Sequence, residues 1–425
     1  MIEIIEDYRA FLESVKKRGA GGDEGRSAVV RNICETVRQK GDEALFSWTR
    51  QFDRWPADET NVRFPEEALE SAWEGLSDRL KGLLILAKER IIAFQTKELE
   101  TSRIGIEPGG EILGTKVEAL DTVGLYVPGG SAAYPSSVLM NALPAVVAGV
   151  RRVVICTPAP DGVANPVVLG AAWIAGIREV YKIGGAQAIA AMAWGTKSIP
   201  KVDKITGPGN IYVALAKKEV FGVVGIDSIA GPSEILIVAD DSARADWVAA
   251  DLLSQAEHDP LAGGILITDS PKLAKAVKSE VTRLYGELSR KEILAQSLQN
   301  YSKIILVHDA DEGIALANAF APEHLELALK EPLAKLSQVK NAGAVFLGHY
   351  TPEALGDYLA GPNHVLPTGG TARFFSPLSV RDFQKRTSVL SFTESAFRNL
   401  AQAVIDFAEE EGLDAHARSV KERLK

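Results

Sequence analysis

Between positions 123 and 347, short apolar runs rich in β-branched residues alternate with helical stretches of about ten residues or more. No other feature restricts the fold so sharply. The runs 123–127, 153–156, 179–183 and 201–205 are each followed by a helical pattern, at 138–147, 167–175, 186–194 and 211–219. Further runs at 235–238, 265–268, 304–307 and 344–347 continue the alternation. Strands that alternate regularly with helices form parallel, doubly wound sheets, which places the chain in the α/β class.

The flanks read differently. A short polar helix is expected before position 25, with Gly19-Ala20-Gly21-Gly22 as a joint. Residues 26–99 are helical, with Ala28, Val29, Ile33 and Val37 on one face and a long run around 80–94. Two extended segments, 104–113 and 116–117, have Gly109-Gly110 as the hairpin turn. The alternation stops near Pro377, and the tail from Phe392 reads as two helices broken at Gly412. The expected division is therefore a helical extension (1–25), a first α/β domain (26–122 and 235–377), a second inserted within it (123–234), and a tail (378–425).

The 425 residues, 46% hydrophobic and 24% charged, suit a globular protein with large buried cores. A net charge of −9 excludes the basic footprint that nucleic-acid binding needs, and clusters such as Lys16-Lys17-Arg18 read as solvated helix surface. No apolar run is long enough to span a membrane, and the N-terminus has no signal-peptide pattern. Two cysteines, Cys34 and Cys156, make no disulfide framework and suit the cytoplasm.

In open α/β sheets ligands bind at the carboxyl ends of strands. Three of those ends carry glycine turns: Pro128-Gly129-Gly130, Gly184-Gly185-Ala186-Gln187 and Gly207-Pro208-Gly209-Asn210. Such turns either let backbone N–H groups approach a pyrophosphate or simply permit tight helix–sheet packing. No G-x-G-x-x-G follows any strand, so an ordinary dinucleotide fingerprint is absent. Tyr126, Gln187 and Asn210 stand where a nucleotide's ring and ribose would be met.

Polar side chains with chemical potential cluster later in the chain. A helix opening near Ser242 carries Val248, Leu252 and Ala256 at helical spacing and stops at Asp259-Pro260. Gln255 and His258, three residues apart, share a face of it and offer an amide oxygen and an imidazole to a borderline cation such as zinc. Ser233, ahead of the run 235–238, either bonds a polar substrate or caps a turn. Glu323 and His324 are adjacent in a loop marked by Pro322, a pairing suited to proton transfer, or else to solvated surface. The segment 355–367 is dense in Gly, Pro and polar residues; Asp357 is a candidate cation ligand and His364 a supporting group. Glu411 and His416 flank the Gly412 hinge, where surface charge and a helix cap are the ordinary roles. His308 and His349 read as turn and loop residues.

Taken together, these stretches resemble histidinol dehydrogenases. The resemblance lies in Leu252-Leu253-Ser254-Gln255-Ala256-Glu257-His258-Asp259, Ala321-Pro322-Glu323-His324-Leu325-Glu326 and Gly361-Pro362-Asn363-His364-Val365-Leu366-Pro367-Thr368. It extends to Gly184-Gly185-Ala186-Gln187-Ala188-Ile189-Ala190, Gly207-Pro208-Gly209-Asn210-Ile211-Tyr212-Val213 and Ala230-Gly231-Pro232-Ser233-Glu234, in family order over essentially the whole chain. It implies a zinc site (Zn2+) of Gln255, His258, Asp357 and His416. It implies substrate contacts from Ser233, Gln255, His258, His324, Asp357, Glu411 and His416, and NAD against Tyr126, Gln187 and Asn210. Glu323 and His324 take the proton-transfer roles. The implied assembly is a homodimer of two incomplete Rossmann-like domains whose tail reaches into the partner. The implied reaction oxidises L-histidinol through L-histidinal to L-histidine with two NAD. Two other classes stay open: an aldehyde dehydrogenase using a Cys156 thiolate, and a metal-dependent hydrolase.

Overall fold

A computed structural model describes residues 2–17, 24–129 and 134–425. The joint expected at 19–22, Arg18 of the basic cluster and Gly130 of the first glycine turn lie outside the described residues. The alternation folds as two parallel sheets, as an α/β chain of this pattern should.

The five-stranded sheet runs in the order Glu179–Tyr181, Arg152–Cys156, Thr122–Tyr126, Lys204–Thr206, Gly225–Ile226. Strand order reverses direction between Thr122–Tyr126 and Lys204–Thr206, which opens a crevice at their carboxyl ends. Side chains alternate between its faces. Tyr126, Val154, Cys156 and Ile205 enter one core, and Leu125, Val153, Ile155 and Val180 the other. Helices Glu24–Lys40 and Asp42–Asp53 complete the first core, while Glu66–Glu74 and Asp78–Lys97 complete the second. Residues 24–97 therefore pack on this sheet, not with 235–377 as their place in the chain suggests. Their apolar faces match whichever sheet face they meet, and sequence order does not say which.

The six-stranded sheet runs Glu3–Ile5, Lys303–Leu306, Gly263–Thr268, Glu234–Ala239, His324–Ala328, Ala344–Leu347, all parallel. The first residues of the chain are thus an edge strand, with helix Arg9–Lys17 after it, rather than a purely helical extension. Every residue of Glu234–Ala239, Gly263–Thr268 and His324–Ala328 is buried. Continuous burial is normal for strands covered on both faces.

Two strands differ from expectation. Lys204–Thr206 begins later than the run 201–205, because the N–H groups of Val202 and Asp203 are taken by the carbonyls of Met192 and Thr122. His324–Ala328 is a central strand where a loop was expected. Its His and Glu residues break the apolar pattern that announces buried strands.

A third, antiparallel sheet joins Gln384–Ser391 to Ile112–Ala119, and that strand to Arg103–Ile106. Helices Glu394–Glu410 and Asp414–Glu422 follow, hinged at Gly412, whose φ of +71° suits glycine. Ile405, Ala408, Ala417, Val420 and Leu424 form a small core of their own.

Candidate active site

The crevice of the five-stranded sheet is built mostly from backbone. Tyr126 is buried, and its hydroxyl accepts the N–H of Gly185 at 3.1 Å. Gly207 (φ +113°) lies so close that a Cβ on it would stand 2.0 Å from the Tyr126 carbonyl oxygen. Only glycine fits there. Gln187 is buried within the helix Gly185–Trp194 that opens at this turn. Asn210 is exposed and caps the helix Ile211–Val220; its Oδ1 accepts the N–H groups of Tyr212 and Val213 at 3.0 and 3.3 Å. The three residues expected at the nucleotide therefore stand on turns that meet around Tyr126.

A second site forms at the amino ends of the six-stranded sheet, where Glu234 and His324 open adjacent strands. His324 is buried, and its Nδ1 is 3.1 Å from the Glu234 carbonyl oxygen. A ring nitrogen facing a carbonyl must donate, so Nδ1 carries the proton and Nε2 presents a lone pair. Nε2 is buried and has no hydrogen-bond partner among the described residues, 3.6 Å from Glu353 Oε1. Desolvation pushes the imidazole down to about 3, with His258 and His364 adding to the shift, so the ring is neutral. Glu323 Oε2 lies 3.6 Å from His324 Nδ1 and accepts the Glu234 N–H at 2.9 Å. The buried pair is thus fixed by one backbone residue of the neighbouring strand.

Glu353 and Asp357 come from the helix Glu353–Tyr358. The Glu353 carboxyl is held well above its usual range by burial first, and then by Asp357, Glu323, Glu326 and Asp251. Burial raises Asp357 to about 6. Gln255 is fully buried at the end of the helix Ala245–Ala256; with its amide assigned nitrogen-inward, as the neighbouring acceptors require, the nitrogen donates to Glu353 at 2.6 and 3.1 Å and lies 3.2 Å from His324 Nδ1. His364 stands 4.0 Å from Asp357 and is driven down to about 4 by desolvation. Ligand atoms of His324, Glu353 and Asp357 lie within 4.8 Å of one another, a spacing that a single cation can bridge.

Of the residues singled out in the sequence, Gln255, Glu323, His324, Asp357 and His364 gather here. The helix of Gln255 starts at Ala245 and stops at Ala256, so His258 stands beyond its end, exposed at the rim. Ser233 is half-buried directly ahead of Glu234. Glu411 and His416 are exposed at the tail hinge, and His416 is not in the cluster. His308 is exposed and His349 half-buried, both outside it; His349 meets the Ser242 hydroxyl at 3.1 Å. Sequence reasoning missed Glu353 and the backbone role of Glu234, because neither stands in a pattern that distinguishes it from ordinary surface glutamate. Cys156 is sealed in the sheet core, and burial pushes its thiol pKa up, which removes the thiolate an aldehyde dehydrogenase would need.

The histidinol dehydrogenase family profile matches residues 16–424. The chain belongs to the histidinol dehydrogenase family. It is 50% identical over 421 residues to the histidinol dehydrogenase of Wolinella succinogenes, covering 99% of this chain and 98% of that one. Against the Geobacter sulfurreducens histidinol dehydrogenase it is 52% identical over 424 residues, covering 99% of each. The crystal structure of histidinol dehydrogenase from Elizabethkingia anophelis superposes with a TM-score of 0.94 at 35% identity, over 100% of this chain and 98% of that one. This is an oxidoreductase enzyme of the histidine-biosynthetic kind, acting on a small molecule. Among the described residues no helix is long and apolar enough to cross a membrane.

Proposed function

We propose that the chain oxidises L-histidinol to L-histidine in two hydride transfers at one site, with zinc and two NAD, as a cytoplasmic homodimer. The observation that carries this reading is His324. It is a buried neutral imidazole, oriented through Nδ1 by the Glu234 carbonyl, with Glu323 beside Nδ1 and Glu353 beside Nε2, which has no hydrogen-bond partner among the described residues.

The donor set fits a borderline divalent ion. Burial pushes the Asp357 carboxyl up to about 6, so a cation that takes the place of its proton is favoured there, and Asp357 also lies in a group with His324 and Glu353 whose ligand atoms are within 4.8 Å of one another. Gln255, His258 and Asp357 would hold zinc, with His416 supplied by the tail of a second copy. Bound zinc would anchor and orient a substrate that itself carries an imidazole and an amine.

Ser233, Gln255, His258, His324, Asp357 and, from the partner's tail, Glu411 and His416 hold the substrate. Tyr126, Gln187 and Asn210 would hold NAD, whose nicotinamide would supply the hydride acceptor. His324 Nε2 takes the hydroxyl proton as the carbinol carbon loses its first hydride, giving the aldehyde. Glu323 then removes a proton from water as its oxygen adds to the aldehyde carbon. The resulting hydrate loses the second hydride and a proton to give the acid. In balance, one alcohol, one water and two NAD give one carboxylate, two reduced cofactors and three protons.

The dimer reading is supported by the tail. Its two helices share a core with each other, Leu400, Val404 and Phe407 are exposed, and Glu411 and His416 face solvent. The same reading assigns residues 123–234 to the nucleotide and 235–377 to metal and catalysis.

The test is stoichiometry. Two reduced cofactors should form per histidinol consumed, with histidine as the product. Release of histidinal at one cofactor per substrate would defeat the reading.

A further inference from the structure

A buried ion pair lies beside the Gly207 turn, and nothing in the reaction above uses it. Lys217, from the helix Ile211–Val220, pairs with Asp227, just past the strand Gly225–Ile226; their side chains are 2% and 6% exposed. Both charges have a second occupation. Asp227 Oδ2 accepts the N–H of Gly207 at 2.8 Å, and Lys217 Nζ donates to the Gly207 carbonyl at 3.1 Å. Asp227 Oδ1 also accepts the N–H of Ser228 at 2.7 Å. A carboxylate and an ammonium therefore grip the two polar groups of one residue.

That residue is the one seated on Tyr126. It adopts φ +113°, and no Cβ could stand where it approaches the Tyr126 carbonyl. Pro208-Gly209-Asn210 and the start of the helix follow directly, so fixing Gly207 fixes where they stand. The neutrality of the clamp also matters. A lone carboxylate under a turn that receives a pyrophosphate would repel it, and Lys217 cancels that charge. Buried ion pairs are often replaceable by apolar residues of similar volume without loss of stability. Stability alone is therefore a weak reason for this one.

We propose that Lys217 and Asp227 are positioning residues for the dinucleotide, a neutral clamp that holds the Gly207 peptide and through it the Gly207–Asn210 turn. The inference rests on the dinucleotide reading of this crevice. The clamp takes the Gly207 N–H for itself and leaves the later N–H groups of the turn to meet the ligand.

The experiment uses the full-length, zinc-loaded enzyme and measures NAD affinity, KM for NAD and for histidinol, kcat, zinc content and Tm. A double variant, Lys217→Met with Asp227→Leu, removes both charges and keeps apolar bulk. It should fold and keep its zinc and its KM for histidinol, while affinity for NAD falls about tenfold or more as the turn loses its seat. Asp227→Asn retains an oxygen for the Gly207 N–H but loses the charge; it should show the same split to a smaller degree, and it carries the test if the double variant does not fold. A folded variant with wild-type NAD affinity, or one in which both KM values rise and zinc content falls together, overturns the proposal. Wild-type enzyme without NAD affinity would instead overturn the dinucleotide reading beneath it.

Discussion

The two parallel sheets are wound alike, yet their candidate sites lie at opposite ends of their strands. The five-stranded sheet offers its carboxyl ends, where Tyr126, Gly185 and Gly207 meet through backbone groups and close approach. The six-stranded sheet offers its amino ends, where Glu234 and His324 are the first residues of neighbouring strands. There the helix Ala245–Ala256, returning from the carboxyl end of Glu234–Ala239, delivers Gln255. The rule that ligands sit at carboxyl ends holds for the sheet that works through turns and helix N-termini. It does not govern a site made of side chains, which needs only a place where several elements bring polar groups together under burial.

Sensitivity to side-chain removal should therefore differ sharply between the two regions, and the largest effect is expected at the amino ends. His324→Asn should lower kcat for histidinol by about 10²–10⁴, the usual range for loss of a positioned base. Glu323→Gln should spare the first hydride transfer relative to the second. Single-turnover reactions started from histidinol and from histidinal separate the two steps. Equal damage to both by Glu323→Gln would remove its assignment to water.

The backbone-built crevice should break where a side chain is added. Gly207→Ala forces a Cβ to within 2.0 Å of the Tyr126 carbonyl at a φ of +113°. We expect a loss of about 1–3 kcal/mol of stability from the strained backbone, with the turn displaced from Tyr126. Thermal unfolding and NAD titration measure both consequences. A variant as stable as the parent, with parental NAD affinity, would show that the turn is not held as tightly as the contact implies.

The same contrast explains what the sequence could disclose. The alternation at 123–347 announces the α/β class, because strands buried on both faces are apolar throughout and the helices between them keep their own period. The glycine turns are legible because their chemistry is local. Glu323 and His324 are visible as a pair, but their strand is not: a buried polar residue erases the signal by which a central strand is recognised. Glu353 belongs to a short helix whose carboxyl turns inward only because Gln255 and His324, remote in sequence, stand opposite it. Which sheet the helices between 24 and 97 would cover was equally invisible, since any apolar face satisfies them.

The tail sets a second boundary on the side-chain-built site, because His416 is exposed and stands outside the cluster of His324, Glu353 and Asp357. Chains carrying His258→Ala and chains carrying His416→Ala, each inactive alone, can be unfolded and refolded together in equal amounts. If the tail crosses, random pairing leaves about a quarter of all sites intact, and activity returns to about that level. If the tail folds back, every site keeps one lesion and the mixture stays inactive. No recovery, with mixed dimers shown to be present, would confine each site to a single chain.

The smallest effect should come from the one side chain at the carboxyl ends that could have competed for the chemistry. Cys156 ends its strand directly opposite Tyr126, near the crevice where a nicotinamide nucleotide is proposed to bind. A thiolate there would suit covalent aldehyde chemistry, but the sulfur is fully buried and its proton is held on by desolvation. Cys156→Ala removes only a small buried group, at a cost of about 1 kcal/mol in stability, and should leave kcat and the yield of two cofactors per histidinol unchanged. If turnover collapsed in a variant whose fold and NAD affinity were intact, chemistry would have to move from the amino ends of one sheet to the carboxyl ends of the other. Unchanged turnover leaves the five-stranded sheet as a platform that positions through its backbone, and the six-stranded sheet as the place where protons move.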